Sequence, residues 1–126
     1  MRYTYNIMTV NIMKQKHMTI GKLSEETGLS TDTIEAMRNN HEKVFKIESV
    51  VAVCIALHLL PEVSREYIDK APSKLIDTTN MGLYRYAINH WYEKSVAEVN
   101  RLLLECGSTP LTNLISEPNE EAYLGA

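Results

Sequence analysis

An all-α fold is predicted for this chain by three features of its sequence. Apolar side chains recur at spacings of three and four over most of its length. Thr19, Ser30 and Ser95 stand where a helix needs a first-turn acceptor, and Gly28 and Gly107 stand where a helix needs a left-handed residue to stop it. The apolar run at 47–60, interrupted only by Glu48, Ser49 and His58, is predicted to be the buried central helix of a small bundle, because a helix hydrophobic on all sides is covered on all sides.

The elements follow in order. A chain of 126 residues with 44% hydrophobic content suits one domain, or a small domain with an extension, around a real core. Residues 1–17 are the least legible: Tyr5, Met8 and Ile12 make a helical stripe, yet Thr4, Thr9, Val10 and Ile12 also suit a strand, and a helix is the reading adopted. Residues 19–37 organise the rest. Thr19 caps a short helix carrying Ile20, Leu23 and Thr27 at helical spacing, and Gly28 ends it. Ser30 caps a second helix, with Asp32 in its first turn and Ile34 and Met37 inward. Leu29 is pinned between the two, and the small Ser24 lets them cross closely. Two helices joined through so short a Gly-led connection are the signature of a helix-turn-helix.

Beyond this pair, residues 38–43 are polar and Asn-rich and read as a loop before the central helix. Pro61 suits the first turn of a fifth helix, Pro72 closes it, and residues 77–80 offer a new cap. Leu83, Tyr84, Ala87, Ile88, Trp91 and Tyr92 then mark an amphipathic helix over 81–92. Ser95 and Glu98 form a capping box that opens a last helix with Val99, Leu102, Leu103 and Cys106 inward. Residues from 108 on read as a loose tail anchored by Leu111, Leu114 and Ile115. The predicted architecture is a five-helix domain over 1–72 followed by a two-helix extension with its tail over 73–126.

Thr19, Leu23-Ser24, Gly28-Leu29-Ser30 and Ile34 stand in the pattern of the lambda-repressor-like (Cro-like, XRE) DNA-binding domain, and the segment resembles that family. Residues 47–59, ending Ala56-Leu57-His58-Leu59, are similar to its buried fourth helix, and Leu60-Pro61-Glu62-Val63-Ser64 with Tyr67-Ile68 to its fifth. Tyr84-Arg85-Tyr86-Ala87-Ile88, Ser95-Val96 and Asn100-Arg101-Leu102-Leu103 resemble a helical extension of some members, so the likeness covers roughly 18–111. The resemblance implies a sequence-specific double-stranded DNA-binding regulator, a repressor by expectation, that reads the major groove with its third helix. Thr31, Asp32 and Ala36 stand where the family makes base contacts. Two departures are visible: Ile20 replaces a frequent phosphate-binding Gln, and Asp32 and Glu35 can only accept hydrogen bonds.

Thr31, Asp32, Thr33, Glu35 and Ala36 face away from Ile34 and Met37 and form the expected reading surface. Lys22, Arg38, Lys43 and Lys46, with Thr19, Asn39 and Asn40, are the expected phosphate partners, which position the protein without specifying sequence. The net charge of -3 is unusual for such a protein. Residues 1–72 carry nine Lys/Arg against nine Asp/Glu, so the excess acid lies wholly in 73–126. That balance keeps a rival in play, an interaction module that retains the fold while its reading face has turned acidic. Trp91, Tyr92, Val99, Leu102 and Leu103 are the expected contact of a homodimer, against the alternative that they pack only on their own chain.

No phosphate-binding glycine loop, nucleophile elbow or spaced metal-ligand set is present, so no enzyme, cofactor, metal or small-molecule ligand is expected. The four histidines are scattered, and His58 and His90 are expected to be core or boundary residues. Cys54 and Cys106 form neither a disulfide framework nor a metal pair. With no apolar run long enough to span a bilayer and no secretory signal at the start, a cytoplasmic location is expected and a membrane partner is not.

Overall fold

The computed structural model describes residues 2–74 and 80–115. Among these residues the chain is all-α. Its elements are α1 (Arg2–Gln15), α2 (Ile20–Thr27), α3 (Thr31–Asn39), β1 (Phe45–Lys46), α4 (Ile47–Ala56), α5 (Pro61–Lys70), β2 (Ser73–Lys74), α6 (Met81–His90) and α7 (Val96–Glu105). No helix among the described residues is long and apolar enough to cross a membrane.

The ambiguous opening segment is helical because Tyr5, Thr9 and Ile12 are buried at helical spacing while Ile7 and Asn11 face solvent. The buried face centres on Thr9 rather than on the half-buried Met8. Thr9 is tolerated there because its hydroxyl donates to the Tyr5 carbonyl at 2.9 Å and lies 2.7 Å from the Tyr67 hydroxyl. A hydroxyl has one proton, so Tyr67 is the donor in the second bond. The Tyr5 ring packs on Tyr67 at 4.6 Å and on Phe45 at 6.0 Å between centroids, joining α1, α5 and β1.

Helix α4 is central: Ile47 and all residues from Val50 to Ala56 are buried, and α2, α5, α6 and α7 pack around it. It ends on His58, which takes φ 52°, while the Leu59 amide donates to Cys54 and the His58 amide to Ile55. These two bonds satisfy terminal carbonyls that a helix otherwise leaves open. His58 is therefore an exposed capping residue, not a core one; its Nδ1 lies 2.9 Å from the Tyr92 carbonyl oxygen. His90 is exposed as well, with its ring 4.3 Å from that of Tyr86. Strands β1 and β2 pair in parallel, Phe45 beside Ser73, a two-residue bridge too short to leave a periodic signal in the sequence.

The extension shares the core of the first five helices. Tyr84, Ala87, Val96, Val99, Leu103 and Leu111 belong to the same buried cluster as Ile34 and Val53. Helix α6 stops at His90, two residues before the expected end. Asn80 does not cap that helix with its side chain; its Oδ1 accepts instead from Ser108 Oγ at 2.9 Å. The rest of that expected cap, residues 77–79, lies outside the described residues. The capping box at α7 forms in its first half, with the Glu98 amide donating to Ser95 Oγ at 3.2 Å. In the tail Leu111 is buried, Leu114 half-buried and Ile115 exposed.

Candidate nucleic-acid interface

The pair α2 and α3 is fastened by side chains of its own sequence. The Lys22 amide donates to Thr19 Oγ1 at 3.1 Å, and the Thr33 amide to Ser30 Oγ at 3.2 Å, so each helix has an N-cap. Between them Gly28 adopts φ 82°, and its amide bonds the Ser24 carbonyl at 2.9 Å. Thr27 Oγ1 donates to the Leu23 carbonyl at 2.7 Å and accepts from the Leu29 amide at 3.0 Å. Ser24 does more than leave room for the crossing: its hydroxyl donates to the Leu29 carbonyl at 2.6 Å. Leu29 is half-buried, while Leu23, Ile34 and Met37 are fully enclosed.

With Ile34 and Met37 inward, α3 turns Thr31, Asp32, Glu35 and Asn39 to solvent, with Thr33 and Ala36 half-buried at the edges. Asp32, Glu35, Ala36, Asn39, Asn40, His41 and Glu42 line one open depression along this face. Asn40 also organises the loop, its Oδ1 accepting from the Glu42 and Lys43 amides at 3.0 and 3.1 Å. Lys43 is exposed, with its ammonium 6.0 Å from the Phe45 ring centre. Thr19 and Lys22 are exposed at the start of α2, where Lys22 pairs with Glu26 at 3.3 Å.

Arg38 departs from its expected place. It is half-buried and borders a second depression with Asn6, Ile7, Val10, Asn11 and His41, on the α1 side of α3. Its Nε is enclosed without a hydrogen-bond partner among the described residues. The dimer expectation changes too. Val99 and Leu103 are 0% exposed within their own chain, so they are core residues with no surface left for a second copy. Trp91, Tyr92 and Leu102 are half-buried, and Tyr86 is 48% exposed with its ring 5.2 Å from Trp91.

The helix-turn-helix matches a known family over residues 10–62, from the second half of α1 to the first turn of α5. That family is the Cro/C1-type HTH DNA-binding domain, to which the segment is similar. No curated protein and no solved structure gives a significant match to the chain. A general DNA-binding role goes with that domain, and the α2–α3 pair with its caps and turn bonds lies inside the matched residues. The remainder of α1, most of α5, and α6 and α7 lie outside the matched residues.

Several residues in and beside the matched segment escaped sequence reasoning. Lys14 and Lys16 are exposed at the end of α1, within five residues of the Thr19 cap, and supply positive charge beside α2. Their position next to Thr19 is readable in the sequence once α1 is taken as a helix ending there. Asn6 is buried at the other end of the unit and has no such signal, because its partner Met37 is thirty-one residues away.

Proposed function

We propose that this chain is a sequence-specific double-stranded DNA-binding transcriptional regulator, acting as a repressor, with α3 in the major groove. The observation that carries the reading is the presentation of α3: capped by Ser30, buried through Ile34 and Met37, and exposed through Thr31, Asp32 and Glu35, within the matched segment. Thr31 reads either base type, Asp32 and Glu35 accept from a cytosine amino group, and Ala36 offers a methyl contact to thymine. Thr33, Asn39 and Asn40 flank these contacts. Lys22, Lys43, Lys14 and Lys16, with the Thr19 hydroxyl, reach phosphates. Arg38, half-buried near the end of α3, places its charge on the α1 side of this surface. Repression follows from occupying promoter DNA, which needs no further chemistry, and the site of action is the cytoplasm.

The reading includes a homodimer. One unit makes few phosphate contacts, and two tethered units gain affinity through effective concentration on a palindromic site. Trp91, Tyr92 and Leu102, joined by Tyr86, are the contact proposed. The test is a mobility shift against genomic fragments, including the chain's own promoter, at low salt. Retention of a few discrete fragments is expected, and retention of none overturns the reading.

A second reading is favoured by one observation, the depression on α3 that carries Asp32, Glu35 and Glu42 and no Lys or Arg in its lining. Such a surface suits a basic protein partner, and the chain is then an interaction module. Binding of DNA that rises when Asp32 and Glu35 become Asn and Gln, from nothing in the native chain, separates this reading from the first.

A further inference from the structure

The segment 108–115 does not trail from α7; it returns to the α2–α3 turn. Asn100 on α7 is 0% exposed and uses its whole amide to hold the segment. Its Oδ1 accepts from the Leu111 amide at 2.7 Å and the Thr112 amide at 3.4 Å. Its Nδ2 donates to Thr112 Oγ1 at 3.0 Å and to the Leu114 carbonyl at 2.6 Å. Thr112 passes this fixation on. Its one hydroxyl proton goes to the Thr27 carbonyl at 2.6 Å, and its oxygen accepts from Asn100 and from the Leu114 amide at 3.3 Å. Thr27 is the last residue of α2, so this bond satisfies a carbonyl that the helix end leaves open.

The approach is close. A Cβ added to Gly28 would meet Leu114 Cβ at 2.8 Å and Thr112 Oγ1 at 3.0 Å. Gly28 is therefore required twice, once by its φ of 82° and once by the segment lying over it. Between α2 and α3 stand only Gly28, Leu29 and Ser30, so a movement of Thr27 or Gly28 passes directly to Thr31 and Asp32. None of Asn100, Thr112 and Leu114 lies in the segment matched to the family, and the contact is to backbone of the turn rather than to the face of α3.

We propose that residues 108–115 are a splint for the helix-turn-helix, and that Thr112, held by Asn100, is a positioning residue that sets α3 for DNA reading. The proposal rests on the DNA-binding reading above. Its test uses the full chain as wild type, Thr112→Val, which keeps shape and removes the donor, and Thr112→Ser, which restores the hydroxyl. The readouts are hydrogen exchange at the Leu29 amide relative to the Val53 amide, and the ratio of affinity for a fragment retained by wild type to affinity for bulk DNA.

Thr112→Val is expected to speed Leu29 exchange about tenfold relative to Val53 and to lower the affinity ratio about tenfold, while bulk affinity stays. Thr112→Ser is expected to restore both. An unchanged ratio in Thr112→Val overturns the positioning role whatever the exchange shows, and unchanged exchange overturns the splint. Where Thr112→Val does not fold, Leu114→Gly, which removes the Cβ lying over Gly28 and no hydrogen bond, takes its place: an unchanged ratio again overturns the positioning role, and unchanged exchange the splint. If wild type retains no DNA, the DNA-binding reading fails by itself and Leu29 exchange alone upholds or overturns the splint.

Discussion

Asn6 Nδ2 donates a 2.7 Å hydrogen bond to the carbonyl oxygen of Met37, with the Ala36 and Asn40 carbonyl oxygens each 3.4 Å away. A side chain of α1 thus closes the C-terminal end of α3, where the last carbonyls have no partner within the helix. With Ser30 capping the other end, α3 is held at both termini by side chains rather than by the length of its own hydrogen-bond ladder.

Asn6→Ala is expected to lower stability by about 1–3 kcal/mol, because the buried Met37 carbonyl at the end of α3 loses its donor. Denaturant unfolding followed by far-UV dichroism checks this. The midpoint falls while the slope stays, since the change removes a bond and not a packed surface.

Contacts to bases and to phosphates are expected to fail differently. Thr31→Ala and Asp32→Ala relax sequence preference, each lost base contact costing about 1–3 kcal/mol on the preferred site and little on bulk DNA. Lys14→Gln and Lys22→Gln weaken all sequences alike, and each lowers the slope of log affinity against log salt by about one. Arg38→Ala, half-buried against α1, shows its effect first in the melt. Titrations at several salt concentrations on two DNA sequences read all of these.

Leu103→Ala and Val99→Ala are expected to destabilise the chain at every protein concentration, Leu103→Ala by about 2–5 kcal/mol, because both side chains fill the chain's own core. Trp91→Asp acts on association instead. Light scattering across a dilution series should show the wild type as a dimer at micromolar concentration and Trp91→Asp as a monomer with an unchanged fold. A wild-type monomer at that concentration removes the dimer.

Stability is expected to fall in alkali. Burial pushes the Cys54 thiol from 9.0 up to about 12 and holds the Tyr67 and Tyr5 hydroxyls well above their ordinary value. An acid whose folded pKa is raised keeps its proton longer in the folded chain than in the unfolded one. Its contribution is therefore complete below pH 9.0 and lost as pH rises from there through about 12. Denaturant midpoints taken on both sides of pH 9.0 check the sign, and Cys54→Ala should make the decline shallower.

Much of the helix capping was legible because its interactions are local. Thr19 to Lys22, Ser30 to Thr33 and Ser95 to Glu98 each span three residues, so cap and partner appear in one glance at the sequence. The burial of Ile34 and Met37 follows from spacing in the same way, whereas the loop expected over 38–43 begins only at Asn40, because Arg38 and Asn39 complete α3. The role of Arg38 was not legible, since nothing in its neighbours says that α1 lies beside it. The exposure of His58 escaped for a related reason: an apolar run suggests burial for all its members, including the one that ends the helix in a left-handed conformation.

By itself the sequence determined the all-α class, the order of the helices, and the capped turn between Thr27 and Ser30, because these depend on backbone propensity and on contacts within one or two turns of chain. Only the tertiary structure decided which apolar face of α7 is spent on the core, so that Val99 and Leu103 go inward while Leu102 keeps some surface. Only it brought Asn6 to Met37 and Thr112 to Thr27, pairs separated by thirty-one and eighty-five residues. The physical reason is one of specificity: apolar burial is non-directional and constrains which residues go inside, whereas a hydrogen bond between distant residues depends on the relative placement of whole helices.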